Sequence, residues 1–221
     1  MGHIDFSQIL MQMAVLLFSL SLHEFGHAWA ADKLGDPTAK MLGRLTINPM
    51  AHADLVGTIL MPLLMMVTGI RWLFGWAKPV PITPENLRNP RRDSILVSVA
   101  GPAANILLFL GSLIGLAFLK SSGAPLSGMA ATAEEFLLMF FVMNFILAVF
   151  NLMPVTPLDG HWVVKALLPP KWSYAFSRLD PYGFVILLVL MWLGFFGAVL
   201  NGALAILAIL LNLVGLGFVL G

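Results

Sequence analysis

The chain has no cysteine, only two tyrosines and few charged residues. Without cysteine there are no disulfides and no thiolate metal sites, so any bound metal must be held by His, Asp or Glu. Charged residues make up 10% of the 221 positions and hydrophobic residues 59%, where soluble domains run at about a quarter charged and about half apolar. That balance excludes an ordinary soluble domain. A formal net charge of +1 gives no basic patch of the kind that nucleic acid demands, so no nucleic-acid partner is expected. Residues 1–8 lack a basic n-region and a small-residue cleavage site, and the first apolar run therefore reads as a retained span rather than a signal peptide.

What the chain does have is apolar runs near the roughly 20 residues needed to cross hydrocarbon. The expected fold is all-α, a polytopic transmembrane helical bundle forming a single membrane-embedded domain. Spans are expected over 9–31, 95–119, 134–152, 184–200 and 203–220, the last two split by Asn201-Gly202. Residues 55–70 are apolar but contain Pro62 and are short for a span. If that segment crosses, the 12 basic residues divide 8 against 4 between the two sides; if it dips in and returns, they divide 11 against 1. The positive-inside rule favours the re-entrant arrangement, with the loops 32–54, 71–93 and 153–183 cytoplasmic. The expected location is an integral protein of the cell (plasma) membrane.

The first span carries His23-Glu24-Phe25-Gly26-His27. On a helix, positions i and i+4 lie about 40° apart, so both imidazoles face one side and can grip one metal. Glu24 is offset by about 100°, within reach of a water there without being a ligand itself. Ionisable groups in a bilayer are costly and mark function. Two histidines leave zinc short of a protein ligand. Asp159 is the one acidic residue between Glu135 and Asp180, and it sits in N-L-M-P-V-T-P-L-D-G (151–160), which breaks the preceding helix. Irregular backbone at that depth is tolerated only beside protein or a water-filled cavity. A carboxylate from this break would complete a His-His-Asp set with one position left for water; a simple turn residue is the alternative.

Four further polar residues carry weaker signals. His52 and Asp54 could lie behind the metal ligands or touch substrate, or could be a loop histidine and a helix cap. Asn105 and Asn151 are amides in apolar helices, where an unpaired amide is expensive. Each could simply link helices, and Asn151 could also contact a substrate strand or donate to an oxyanion.

The ordered motifs H-E-F-G-H (23–27), N-P-M-A-H-A-D (48–54), F-G-W-A-K-P-V-P (74–81), A-G-P-A-A-N (100–105) and N-L-M-P-V-T-P-L-D-G (151–160) resemble the site-2 protease family of intramembrane zinc metalloproteases. The resemblance covers about residues 8–165. It implies one Zn2+ per chain on His23, His27 and Asp159, with Glu24 as catalytic acid/base. It also implies hydrolysis of a peptide bond in or beside a transmembrane helix of a membrane-protein substrate. Members usually carry L-D-G-G where this chain has L-D-G-His161, which could add a polar group near the metal. The 221 residues offer no stretch for the inserted PDZ domain of longer members or the appended CBS domain of others. Two other classes compete: a zinc-binding membrane transporter and a non-proteolytic membrane scaffold. Glu24 argues against the first, since transport has no evident use for a general base there, and the intact set of four residues argues against the second, since a scaffold has no need of it.

Overall fold

The computed structural model describes residues 6–67, 75–121, 127–213 and 215–217. Among them there is no strand, and five helices are long and apolar enough to cross a membrane. The first helix, α1, runs Phe6–Leu34. It stops because Gly35 takes φ +114 and turns the chain so that Asp36 N–H bonds back to the Ala31 carbonyl at 2.9 Å, a Schellman closure that glycine allows at no steric cost.

Asp36 is fully buried and gathers the loop beyond. Its carboxylate accepts from Thr38 N at 3.0 Å, Thr83 N at 2.7 Å, Asn86 Nδ2 at 3.1 Å and the Thr38 hydroxyl. Burial pushes its pKa up, but these hydrogen bonds outweigh burial and hold the carboxyl below the ordinary carboxylate value. A depressed folded-state pKa means stability that is complete above the unfolded pKa of about 3.9 and is lost as pH falls through the folded value. Asp36→Ala should therefore lower the melting temperature at neutral pH, at roughly 1–3 kcal/mol for each donor left unpaired, and should flatten the acid limb of the stability–pH curve. An unchanged acid limb in thermal melts would count against this role.

Helix α2 covers 55–67 and opens with a π-helical turn, Leu55–Leu60. At about 1.5 Å per residue it reaches roughly 20 Å, short of a 30 Å hydrocarbon core. The chain then comes back to the start of this helix. Trp76 N donates to the Gly57 carbonyl at 3.2 Å, and Thr58 Oγ1 donates to the Trp76 carbonyl at 2.7 Å. Trp76 thus lies beside the first turn of α2, as the return of a re-entrant segment would require; residues 68–70 of the expected segment lie outside the described residues.

Helix α3, Pro90–Lys120, is the hub of the bundle and packs against α1 and α4, Met129–Asn151. Pro90 stands at its first turn, where a missing N–H costs nothing, and Asp93 reaches back to the Asn89 amide at 2.8 Å. Its faces are sorted for lipid. Leu107, Ile114 and Phe118 are 71–78% exposed along one stripe, while Asn105, Ser112 and Leu116 are buried on the other. Helix α5 is Asp159–Leu167, followed by α6, Pro170–Trp192, and α7, Phe195–Leu213. Leu113 and Leu116 of α3 share a core with Phe141 of α4 and with Leu207 and Leu211 of α7.

The last two spans differ from the sequence expectation. The break falls at Leu193-Gly194, where Gly194 takes φ +75, and Asn201-Gly202 lies inside α7. The fourth long apolar helix accordingly occupies Pro170–Trp192 rather than 184–200. Residues 214 and 218–220 of the expected last span lie outside the described residues.

Candidate active site

The site is assembled where α1 crosses α3 and where the break before α5 returns to them. Two glycines permit the approach. A Cβ on Gly26 would lie 2.6 Å from the Ala100 carbonyl oxygen, and one on Gly101 would lie 2.3 Å from His27 Nε2. Pro102 lacks the amide that would bond the Ser98 carbonyl, and the neighbouring Val97 carbonyl accepts His27 Nδ1 at 2.7 Å. At the break, a Cβ on Gly160 would meet the Leu152 and Met153 carbonyl oxygens at 2.3 and 2.5 Å. Only glycine fits directly after Asp159.

His23 Nε2 and His27 Nε2 are 3.1 Å apart, and the Asp159 carboxylate oxygens lie 3.1 and 3.3 Å from them. The protons on these rings can be placed. Asn144 Nδ2 donates to the Phe140 carbonyl at 2.8 Å and to Ser19 Oγ at 3.0 Å, so its oxygen faces Asn105 Nδ2 at 2.8 Å. That leaves Asn105 Oδ1 to accept from His23 Nδ1 at 2.6 Å. His27 Nδ1 faces a carbonyl, so it too must donate. Neutral rings then turn bare Nε2 lone pairs toward one another and toward a carboxylate, an arrangement that is repulsive without a cation among them. Zinc bonds of about 2.0–2.1 Å at tetrahedral angles put donor atoms roughly 3.3 Å apart. The donor set and its spacing fit zinc.

Glu24 stands beside this cluster, half-buried, with Oε2 accepting from Val80 N at 2.7 Å. A cavity of about 280 Å³ is lined by Glu24, His27, Val80, Ser98, Asp159 and others, so a reacting group could reach metal and carboxylate together.

The weaker sequence candidates divide. Asn105 is fully buried behind His23. Asn151 donates to the Leu147 carbonyl of its own helix at 3.0 Å. His52 Nε2 donates to the Thr46 carbonyl at 2.8 Å, and Asp54 caps α2 by accepting from Val56 N and Gly57 N at 3.0 and 2.7 Å. His161 turns to Asp180, Nε2 to Oδ1 2.7 Å, and stacks on Phe176; it adds nothing to the His-His-Asp cluster. Sequence reasoning misses Asn144, although an amide in an otherwise apolar helix carries the same signal as Asn105. It also misses the Val80 amide, since a backbone donor leaves no side-chain motif.

Asn105 keeps the His23 ring with Nε2 bare and facing His27 and Asp159. Asn105→Leu should weaken zinc binding by about 10–100-fold, as read by competition with a zinc chelator. Unaltered affinity would remove that role.

A family model described as peptidase family M50 matches residues 11–194. The chain is 38% identical over 177 residues to the candidate zinc metalloprotease YwhC of Bacillus subtilis, covering 79% of this chain and 77% of that one. It is 32% identical over 175 residues to the candidate zinc metalloprotease Rip2 of Mycolicibacterium smegmatis, covering 79% of this chain and 64% of Rip2. To the zinc metalloprotease MJ0392 of Methanocaldococcus jannaschii it is 26% identical over 163 residues, covering 72% of this chain and 35% of the relative. No solved structure gives a significant match.

Proposed function

This chain belongs to peptidase family M50 and is a zinc metalloprotease of the membrane, and from that premise we propose that it cuts membrane proteins within or beside a transmembrane helix. His23, His27 and Asp159 hold the metal, and Glu24 is the general base. The observation that carries this reading is the convergence of two bare imidazole nitrogens and a carboxylate from a distant break, 3.1–3.3 Å apart, beside a second acidic group, Glu24.

Zinc held there supplies Lewis acidity and makes water nucleophilic near neutral pH. Glu24 takes the proton as water attacks the scissile carbonyl and hands it to the leaving amine. Asn105 and the Val97 carbonyl keep the two rings oriented. His23 lies 11 residues from the end of α1, about 16 Å inside it, so substrate and water must reach the cavity from the loop side. A substrate helix hides its backbone in its own hydrogen bonds and has to unwind locally to present a peptide bond. If residues 55–70 dip in and return, 11 of the 12 Lys and Arg share the loop side, which supports a plasma-membrane enzyme opening toward the cytoplasm.

Comparing membrane-protein fragments from cells with wild-type enzyme and with Glu24→Gln tests the substrate class. New termini inside or within a few residues of apolar spans are expected. Termini confined to soluble domains would overturn it.

A further inference from the structure

The chemistry above uses Glu24 but gives no task to two sequence motifs, N-P-M-A-H-A-D (48–54) and the A-K-P-V-P stretch (77–81). The structure joins them. Residues 75–83 form an extended strap with no helix or strand of its own. One end is tied to α2 through Trp76, Gly57 and Thr58, and the other through Thr83 N to Asp36 Oδ2 at 2.7 Å. Between these ends, Lys78 N donates to the His52 carbonyl at 2.9 Å. Arg44 Nη2 donates to the Lys78 carbonyl at 2.6 Å and the Pro79 carbonyl at 3.4 Å. His52 is itself buried and pinned to Thr46, and Asp54 caps the turn that carries Gly57 and Thr58. The 48–54 motif is therefore the anchorage of the strap.

The middle of the strap is Pro79-Val80-Pro81. Proline has no N–H and a fixed φ, so Val80 is the one backbone donor of the three and sits between two stiff residues. That donor meets Glu24 Oε2 at 2.7 Å. A glutamate has three torsions to settle, and a base must be held in place to act efficiently. Resting on the reading of Glu24 as general base, we propose that the Val80 N–H, immobilised by this strap, is the positioning group for the catalytic carboxylate. It fixes one oxygen and leaves the other to exchange the proton.

The test is isotope-edited infrared spectroscopy of purified, zinc-loaded enzyme labelled with ¹³C-glutamate, with Glu24→Gln protein as the blank for the Glu24 carboxylate stretch. Val80→Pro deletes the donor and Val80→Ala keeps it. With zinc content preserved, Val80→Pro should shift the band and lower kcat about 10–100-fold at nearly constant KM, using a single-span substrate from the fragment comparison; Val80→Ala should leave the band where it is. Should Val80→Pro fail to fold, Arg44→Gln, which loosens the strap and keeps the amide, should shift the band in the same sense. An unmoved band in a zinc-loaded variant overturns the proposal, whatever the rate does. If Glu24→Gln itself still cleaves, the base reading fails; if it is dead and the band is unmoved, only the positioning role fails.

Discussion

Glu24→Gln should keep its zinc and lose proteolysis. Glutamine matches glutamate in size, and its carbonyl oxygen can still accept from Val80 N, so the packing around residue 24 has no reason to change. Among the described residues, the group that could hold the metal is His23, His27 and Asp159, without Glu24. What disappears is the ability to take a proton from water and return it to the leaving amine. General acid–base catalysis contributes about 10²–10⁴-fold, and here one residue serves both steps. Turnover in reconstituted membranes should therefore fall by at least that order, with metal content by elemental analysis unaltered. Continued cleavage by the zinc-loaded variant would remove Glu24 from the mechanism. The same result would reopen the transporter reading, for which zinc flux in proteoliposomes is the direct measurement.

Gly101→Ala should remove the metal. An added methyl would stand 2.3 Å from His27 Nε2, 2.6 Å from His27 Cε1 and 2.8 Å from His23 Cε1. It would therefore intrude on the metal-facing side of both rings. Neither ring can retreat freely, because each Nδ1 is fixed at 2.6–2.7 Å to an acceptor on α3. The helices cannot separate without cost either, since Gly26 is already pressed against Ala100. Small residues at such crossings set how closely two membrane helices approach. The expected result is a folded helical protein whose zinc affinity is down by about 100-fold or more, beyond the loss seen when a residue behind a ligand is changed. Full zinc occupancy in a monodisperse Gly101→Ala protein would mean that α1 and α3 do not meet as described.

Much of this candidate site is legible in the sequence. His23, Glu24 and His27 declare themselves because a metal grip on a helix has a fixed spacing, and hydrocarbon makes three polar groups in five residues conspicuous. Asp159 could be reached by elimination, since acidic residues are so scarce in this chain. The charge distribution favours a re-entrant 55–70, and the hydrogen bonds of Trp76 to the first turn of α2 are those that such a return would make. Other features left little trace. Asn201-Gly202 has the composition of a turn, yet glycine is common inside membrane helices; the break instead falls at Gly194, where a left-handed φ is needed. Asp54 had two equal readings because a cap and a polar contact use the same residue type, and only the amides of Val56 and Gly57 decide between them. Asn144 stood in plain view as an amide with no water to satisfy it. The Val80 donor was invisible, because only the flanking prolines hint that one amide had been singled out.

The central claim is that one zinc ion is held jointly by α1 and by the aspartate at the start of α5. Elemental analysis of purified wild-type and Asp159→Ala protein, after dialysis against a weak chelator, tests it most directly. One zinc per wild-type chain and essentially none in Asp159→Ala is the predicted result. One zinc per chain in both would contradict the claim and leave the helix pair without its metal partner from the break.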